Sequence, residues 1–372
     1  MKESNARVLM VSHRLLKPHV SWASAYEFED VVCAIDDVDL VAVENVQPKP
    51  LPWEEEVLSH LRKRMGVDIR REPRRRRTRV EGRYDLFFIR AMTLLDLNIL
   101  NSIDGWQESC QTKVCWIEEL WLDRLRDTKS LEPLLQFDHV FVGHVPTSGP
   151  LAEVIDRPCG FLSPGVDALC FCPYPNPPAR SIDLYALGRR SPATHQSLLE
   201  YAERRSGFMY FYDSARWTNF IEGHAEHRQL SANLIKRTRY FMADRAKANQ
   251  PDKSKSSQVF GPRFFEGAAA GAMLIGEPPR CDTFDAYFDW PDAVIPLDHG
   301  STKIADLIDE LDADPERVSR ARQANITNML RRHDWSDRWQ TVLDTVDLDP
   351  RGAAAERKAA LERRAQEVEN AH

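Results

Sequence analysis

In SKSSQVFGPRFFEGAAAGAMLIGEPP, residues 254–279, a Gly-Pro pair opens a short helical pattern, and a run of small residues leads from it into an apolar strand. Pro262 suits a first helical turn, where its missing N–H is no loss and the neighbouring backbone N–H groups lie exposed at the positive end of the helix dipole. Such a terminus binds phosphate. Glu266 falls one turn further in, where a carboxylate can accept both hydroxyls of a ribose. The small residues Gly267, Ala268, Ala269, Ala270 and Gly271 let this helix lie close on the strand AMLIG that follows.

Working outward, short continuous apolar runs recur at 6–13 (ARVLMVSH), 84–91 (YDLFFIRA), 113–120 (KVCWIEEL) and 137–144 (FDHVFVGH), the pattern of parallel strands buried on both faces. Helix-like stretches such as LLDLNILNSIDG separate them, so the first part of the chain reads as an α/β domain. Prolines then crowd residues 145–180, which we read as a linker. The alternation restarts with IDLYALG (182–188), HQSLLEYAERR and FMYFYD (208–213), continues through a helix near 224–242 and AVIPLD (293–298), and ends in a long helix containing KIADLIDELDADPERVSRARQANITNML. The tail from Gly352 has strong helix composition, and the first domain is one place for it to pack. The expected architecture is α/β, with two Rossmann-like domains over residues 1–164 and 165–348, a helical tail over 349–372, and a cleft where the C-terminal ends of both sheets meet.

Composition narrows the function classes. The 372 residues carry 50 Lys+Arg against 57 Asp+Glu, a formal charge of -7, with 42% hydrophobic residues, which suits two folded domains. Between Arg62 and Arg83, eleven Arg/Lys face Asp68, Glu72 and Glu81, and the rest of the chain is correspondingly acidic. The run Arg70 to Arg79 is basic enough for peripheral contact with an anionic membrane surface or a phosphorylated acceptor. It has no interleaved aromatics before Tyr84, and we expect no nucleic-acid partner. No apolar stretch approaches the length of a membrane span, and the N-terminal apolar run is too short for a secretory signal, so a cytoplasmic location is expected. Seven scattered cysteines read as reduced thiols.

The segment PRFFEGAAAGAMLIGEPP resembles the nucleotide-sugar-binding signature of GT-B glycosyltransferases, in particular the CgeB-like and group-one members. In that pattern, R-x-x-E-x-x-A-x-G, Arg263 and Glu266 fall in register, and the resemblance implies that Glu266 holds the donor ribose. SPGVDALCFCP is similar to the family's hinge motif, with Gly165, Val166 and Asp167 matching, and LRRHDWSDRW resembles its closing segment. IDLYALGRR resembles the strand and loop that open the donor domain, which implies that Gly188, Arg189 and Arg190 lie at the diphosphate, with Arg263 beside them; guanidinium geometry suits phosphate. Where many retaining members carry a Glu-x7-Glu pair, this chain has Gln258, able to hydrogen-bond sugar hydroxyls but not to supply a charge. The glycine-pair loop is also missing after the first strand.

The expected catalytic groups stand at strand ends of the first domain: Glu118 and Glu119 in CWIEELW, and His13, with His144 as a competitor. An inverting enzyme needs one of them as the base for the acceptor hydroxyl, whereas a retaining one draws on the donor phosphate. His224 and His227 have a spacing compatible with metal, but the resemblance implies a cation-independent reaction and we expect neither metal nor cofactor. The reading is a glycosyltransferase of hexosyltransferase type, retaining, taking a nucleotide sugar such as a UDP-sugar to a carbohydrate, lipid-linked or small-molecule acceptor. The alternatives are an epimerase or hydrolase of the same fold and a nucleotide-sugar-binding protein without catalysis.

Overall fold

The computed structural model of the chain describes residues 6–46, 75–214, 220–249, 259 and 261–371. Six strands form the first sheet: β1 (Val8–Ser12), β2 (Val38–Ala42), β3 (Tyr84–Ala91), β4 (Cys110–Ile117), β5 (His139–Val142) and β6 (Cys159–Phe161). All pair in parallel, in the order β2-β1-β3-β4-β5-β6. Side-chain alternation explains why β1 reads as one apolar run: Val8 and Met10 enter the core on one face, Leu9 and Val11 the core on the other. The second sheet comprises β7 (Ile182–Ala186), β8 (Tyr210–Tyr212), β9 (Thr238–Met242), β10 (Met273–Gly276) and β11 (Ile295–Pro296), again all parallel, in the order β8-β7-β9-β10-β11.

The helices that position the site are α1 (Ala23–Ile35), α2 (Val145–Ile155), α3 (Pro192–Arg204), α4 (His224–Lys236), α5 (Pro262–Ala269), α6 (Ile304–Ala313), α7 (Pro315–Arg332), α8 (Trp335–Thr345) and α9 (Ala354–Asn370). Several differ from the sequence reading. The helix expected near 224–242 stops at Lys236, because Thr238, Tyr240 and Phe241 favour the pleated, buried position that β9 takes between β7 and β10. The proline-rich stretch expected as a linker contains α2 and β6, which complete the first domain. The long closing helix breaks at Pro315, which starts α7 with the Asp314 side chain accepting the Arg317 N–H.

The chain passes between the domains more than once. Gly165 lies so close to the Trp335 ring that an added Cβ would sit 2.9 Å from it, and here Val166 and Asp334 run side by side as a parallel bridge. Asp334 caps α8 at the Ser336 N–H (2.9 Å), accepts the Ala168 N–H (3.0 Å) and is held by Arg357. Beyond this crossing α8 packs on the first domain, where Trp335, Trp339, Val342 and Leu343 join Phe28, Phe88 and Trp116, and the Trp339 indole N–H donates to Asp36 (2.8 Å). The tail then returns. Leu361, Ala365 and Val368 of α9 pack on Ile326, Met329 and Leu330 of α7, so it lies on the second domain rather than across the first.

Candidate functional site

Strand order reverses between β1 and β3 in one sheet and between β7 and β9 in the other, and in open parallel sheets ligands gather beyond the strand ends at such points. At the second of these points the loop after β7 supplies Gly188, Arg189 and Arg190. Gly188 has φ +66°, a left-handed conformation that favours glycine, and faces the Arg263 guanidinium, whose Nη2 would lie 2.7 Å from an added Cβ and would have to move aside. Its N–H donates to the Asp213 carboxylate (2.8 Å). Arg190 pairs with the same carboxylate (3.2 Å) and lies over the Tyr212 ring. Arg189 is exposed, with no ion pair to another described residue.

Arg263 stands in the first turn of α5, half-buried and likewise without an ion pair to a described residue. Burial pushes its pKa down, and the charges of Glu266, Asp244 and Asp213 only partly offset this. Around these residues open two adjoining clefts, both lined by Arg189, Asp244, Arg263 and His299. His299 lies beyond β11, its Nδ1 3.1 Å from Asp244 Oδ2, and this hydrogen bond holds its pKa above the ordinary imidazole value. Two unpaired guanidiniums, an imidazole biased toward its cation and a helix N-terminus converge on one space. That set suits a diphosphate.

Glu266 is buried, with only 7% of its surface exposed. Its Oε1 accepts from Arg228 Nη1 of α4 (2.5 Å), while its Oε2 takes no hydrogen bond from a described residue. The rest of the Arg228 guanidinium is bound from the first domain: Nε and Nη2 donate to the two oxygens of Glu27 on α1 (2.8 and 3.1 Å). Glu27 Oε2 also accepts from the Trp335 indole (2.7 Å) and the Asp167 N–H (3.2 Å). Arg228 stacks over Phe171, and the two carboxylates more than overcome burial in raising its pKa.

On the first-domain side the structure separates the expected catalytic candidates. Glu118 is half-buried and tied to Arg90 Nε (2.6 Å), whose guanidinium sits against Trp116 and Trp335. Glu119 is exposed. His13 is buried beside Trp22, its Nε2 2.9 Å from the Asp96 carbonyl oxygen; a carbonyl can only accept, so Nε2 carries the proton and Nδ1 is left as a bare acceptor without a partner. Burial lowers its pKa. His144, at the end of β5, packs edge-on against Trp121 with Nε2 unpartnered, and burial, aided by Lys247, takes its pKa to about 4. Lys247 comes from the second domain and lies over the same Trp121 ring.

Gln258 and residues 70–74 of the arginine run lie outside the described residues. The His224/His227 pair does not converge: His224 bonds Asp30 of α1 across the domain boundary (2.6 Å), and no group of three His, Cys, Asp or Glu side chains among the described residues could hold a metal. The sequence reading missed Arg228, Glu27, Asp244 and His299. A signal existed for two of them: Arg228 directly follows the histidine pair, and Glu27 interrupts the apolar face of AYEFEDVV.

Residues 189–344 match the family model described as Glycosyl transferase-like. Across its length the chain superimposes on HepE from Anabaena in complex with UDP and glucose, with a TM-score of 0.51, 11% identity, and coverage of 92% of this chain and 100% of the other. For the same protein in complex with UDP-glucose the values are 0.50, 11%, 91% and 99%. The fold is that of the GT-B glycosyltransferases. No curated protein matches the chain in sequence. On the GT-B frame the Glycosyl transferase-like match begins at Arg189, covers α5 and Glu266, and runs through α8. No helix among the described residues is long and apolar enough to cross a membrane.

Proposed function

We propose that the chain is a glycosyltransferase that moves a sugar from a nucleotide-sugar donor, with a UDP-sugar as first choice, to an acceptor hydroxyl. One observation carries this reading: Glu266 has one oxygen fixed by Arg228 and the other open, one helix turn from Arg263. A ribose can lie on the open oxygen while its diphosphate reaches Arg189, Arg263 and the N-terminus of α5. The complexes of HepE with UDP and UDP-glucose support the same ligand class.

In the transfer, the acceptor oxygen bonds to the anomeric carbon as the bond from that carbon to the phosphate oxygen breaks, and the nucleoside diphosphate leaves with the electron pair. Arg189 and Arg263 stabilise the charge that develops on it. They also supply what a metal would otherwise provide, and we read the reaction as metal-independent. The retaining course is favoured because Glu118 is engaged by Arg90; the acceptor proton then passes to the departing phosphate on the same face. A second, inverting reading rests on His13, whose Nδ1 is an unpartnered acceptor but buried, so that this course requires the nitrogen to be uncovered when the acceptor binds. The anomeric configuration of the product, read by NMR, decides between them.

The first test is thermal stabilisation by UDP, GDP, ADP and CDP of the wild type and of Glu266→Gln. A ligand of the folded state raises the melting temperature, and we expect one nucleotide to do so in the wild type, with affinity reduced at least about tenfold in the variant. No stabilisation by any of the four refutes the reading. Binding without turnover of the matching nucleotide sugar over an acceptor panel leaves a binding protein.

A further inference from the structure

Arg228 touches neither cleft. It is buried under Phe171 between two carboxylates from different domains, Glu27 and Glu266, and its three donor nitrogens are divided unequally between them: Nε and Nη2 on Glu27, Nη1 alone on Glu266. That division decides how much of Glu266 remains for a ligand. A guanidinium offered one carboxylate binds it through two parallel N–H groups, and such a fork on Glu266 would occupy Oε2 as well as Oε1. That fork is not made: with Nε and Nη2 tied to Glu27, the guanidinium is held in an orientation from which Nη1 alone reaches Glu266, at Oε1, and Glu27 is itself fixed by the Trp335 indole and the Asp167 N–H.

Resting on the reading of Glu266 as the ribose carboxylate, we propose that Arg228 is a positioning residue for donor recognition and that Glu27, supplied by the first domain, keeps Glu266 Oε2 open by holding Arg228 away from it. Ribose affinity in the second domain is therefore set partly by a side chain of the first. The anion-binding part of the site lies outside this arrangement, because among the described residues Arg189, Arg263 and the N-terminus of α5 make no hydrogen bond or ion pair with Glu27 or Arg228.

The experiment measures two ligands by titration calorimetry: the nucleoside diphosphate that binds the wild type most tightly, and inorganic pyrophosphate, which has no ribose. For Glu27→Gln we expect nucleotide affinity to fall about tenfold with pyrophosphate affinity unchanged, and in a Glu266→Gln background we expect Glu27→Gln to have no further effect. A merely structural role weakens both ligands alike, and that result overturns the inference. So does an unchanged nucleotide affinity in Glu27→Gln while Glu266→Gln still weakens it, which leaves the donor-site reading standing. Failure of the wild type to bind any nucleoside diphosphate overturns both and is recognised in the wild type itself. Should Glu27→Gln not fold, Glu27→Asp, which keeps the charge but shortens the reach, is expected to give a smaller loss confined to the nucleotide; equal losses on both ligands, or none on the nucleotide, again overturn the inference.

Discussion

Gly188 shows how a single backbone position can control a charge. An alanine there must adopt φ near +66°, which costs an L-residue about 1 kcal/mol, and its methyl group would displace the Arg263 guanidinium. We expect Gly188→Ala to lower the melting temperature slightly and pyrophosphate affinity about tenfold, measured by thermal melt and calorimetry; an unchanged affinity would mean that Arg263 is not part of the anion site. At this scale the sequence was most informative where a motif fixes both neighbours and spacing: Arg189 and Arg263 line both clefts and Arg190 one of them, while Gly188 faces Arg263 and Glu266, one helix turn from Arg263, lines neither. Arg190 is the exception in role, since it is partly spent on Asp213. The surroundings of Glu266 were not legible, because Arg228, 38 residues away in the chain, reaches it only through tertiary packing, and Glu27, 239 residues away, acts on it only through Arg228. Glu118 looked catalytic from its strand end alone; only the structure shows that Arg90 holds it.

Among elements, α8 is the one whose burial changes how its residues titrate. Asp337 lies in its first turn with Oδ2 buried and unpartnered, and burial, reinforced by Asp334, raises its pKa to about 6. A carboxyl raised above its unfolded value stabilises the fold while protonated; that contribution is complete below about pH 4 and is lost as pH rises through about 6. Asp337→Asn keeps the neutral form at every pH. We expect it to raise the melting temperature at pH 7, by the equivalent of about 3 kcal/mol, and to match the wild type at pH 4; melts across that range check it, and a difference independent of pH would contradict the assignment. Most strands were legible because both-face burial gives uninterrupted apolar runs. β9 was not, since its aromatic run directly continues a helical pattern, and neither was β6, whose three residues hide among prolines.

For the molecule as a whole, the arrangement of α8 on the first domain and α9 on the second means that neither domain is a contiguous piece of chain. A fragment of residues 1–164 lacks Trp335, Trp339, Val342 and Leu343, and leaves Phe28, Phe88 and Trp116 facing water. We expect it to melt without cooperativity, and a peptide covering residues 333–350 added in trans to restore a cooperative transition; a sharp melt without the peptide would show α8 to be dispensable. The arginine run is also partly absorbed by the first domain, since Arg75 donates to the Asn98 carbonyl (2.5 Å) and Arg77 pairs with Asp104.

The return of α8 also sets a timetable. During synthesis the chain reaches the end of β6 at Phe161, yet the side chains that cover that sheet's Phe28 face arrive only with residues 335–345. At roughly 5–20 residues per second, ribosomes need on the order of 10–40 s to cross that interval. Throughout it the nascent first domain presents an uncovered apolar face to the cell, and the second domain is already being made beside it. The first domain to be made is therefore among the last to finish folding, and a chaperone acting on this chain would find its work there.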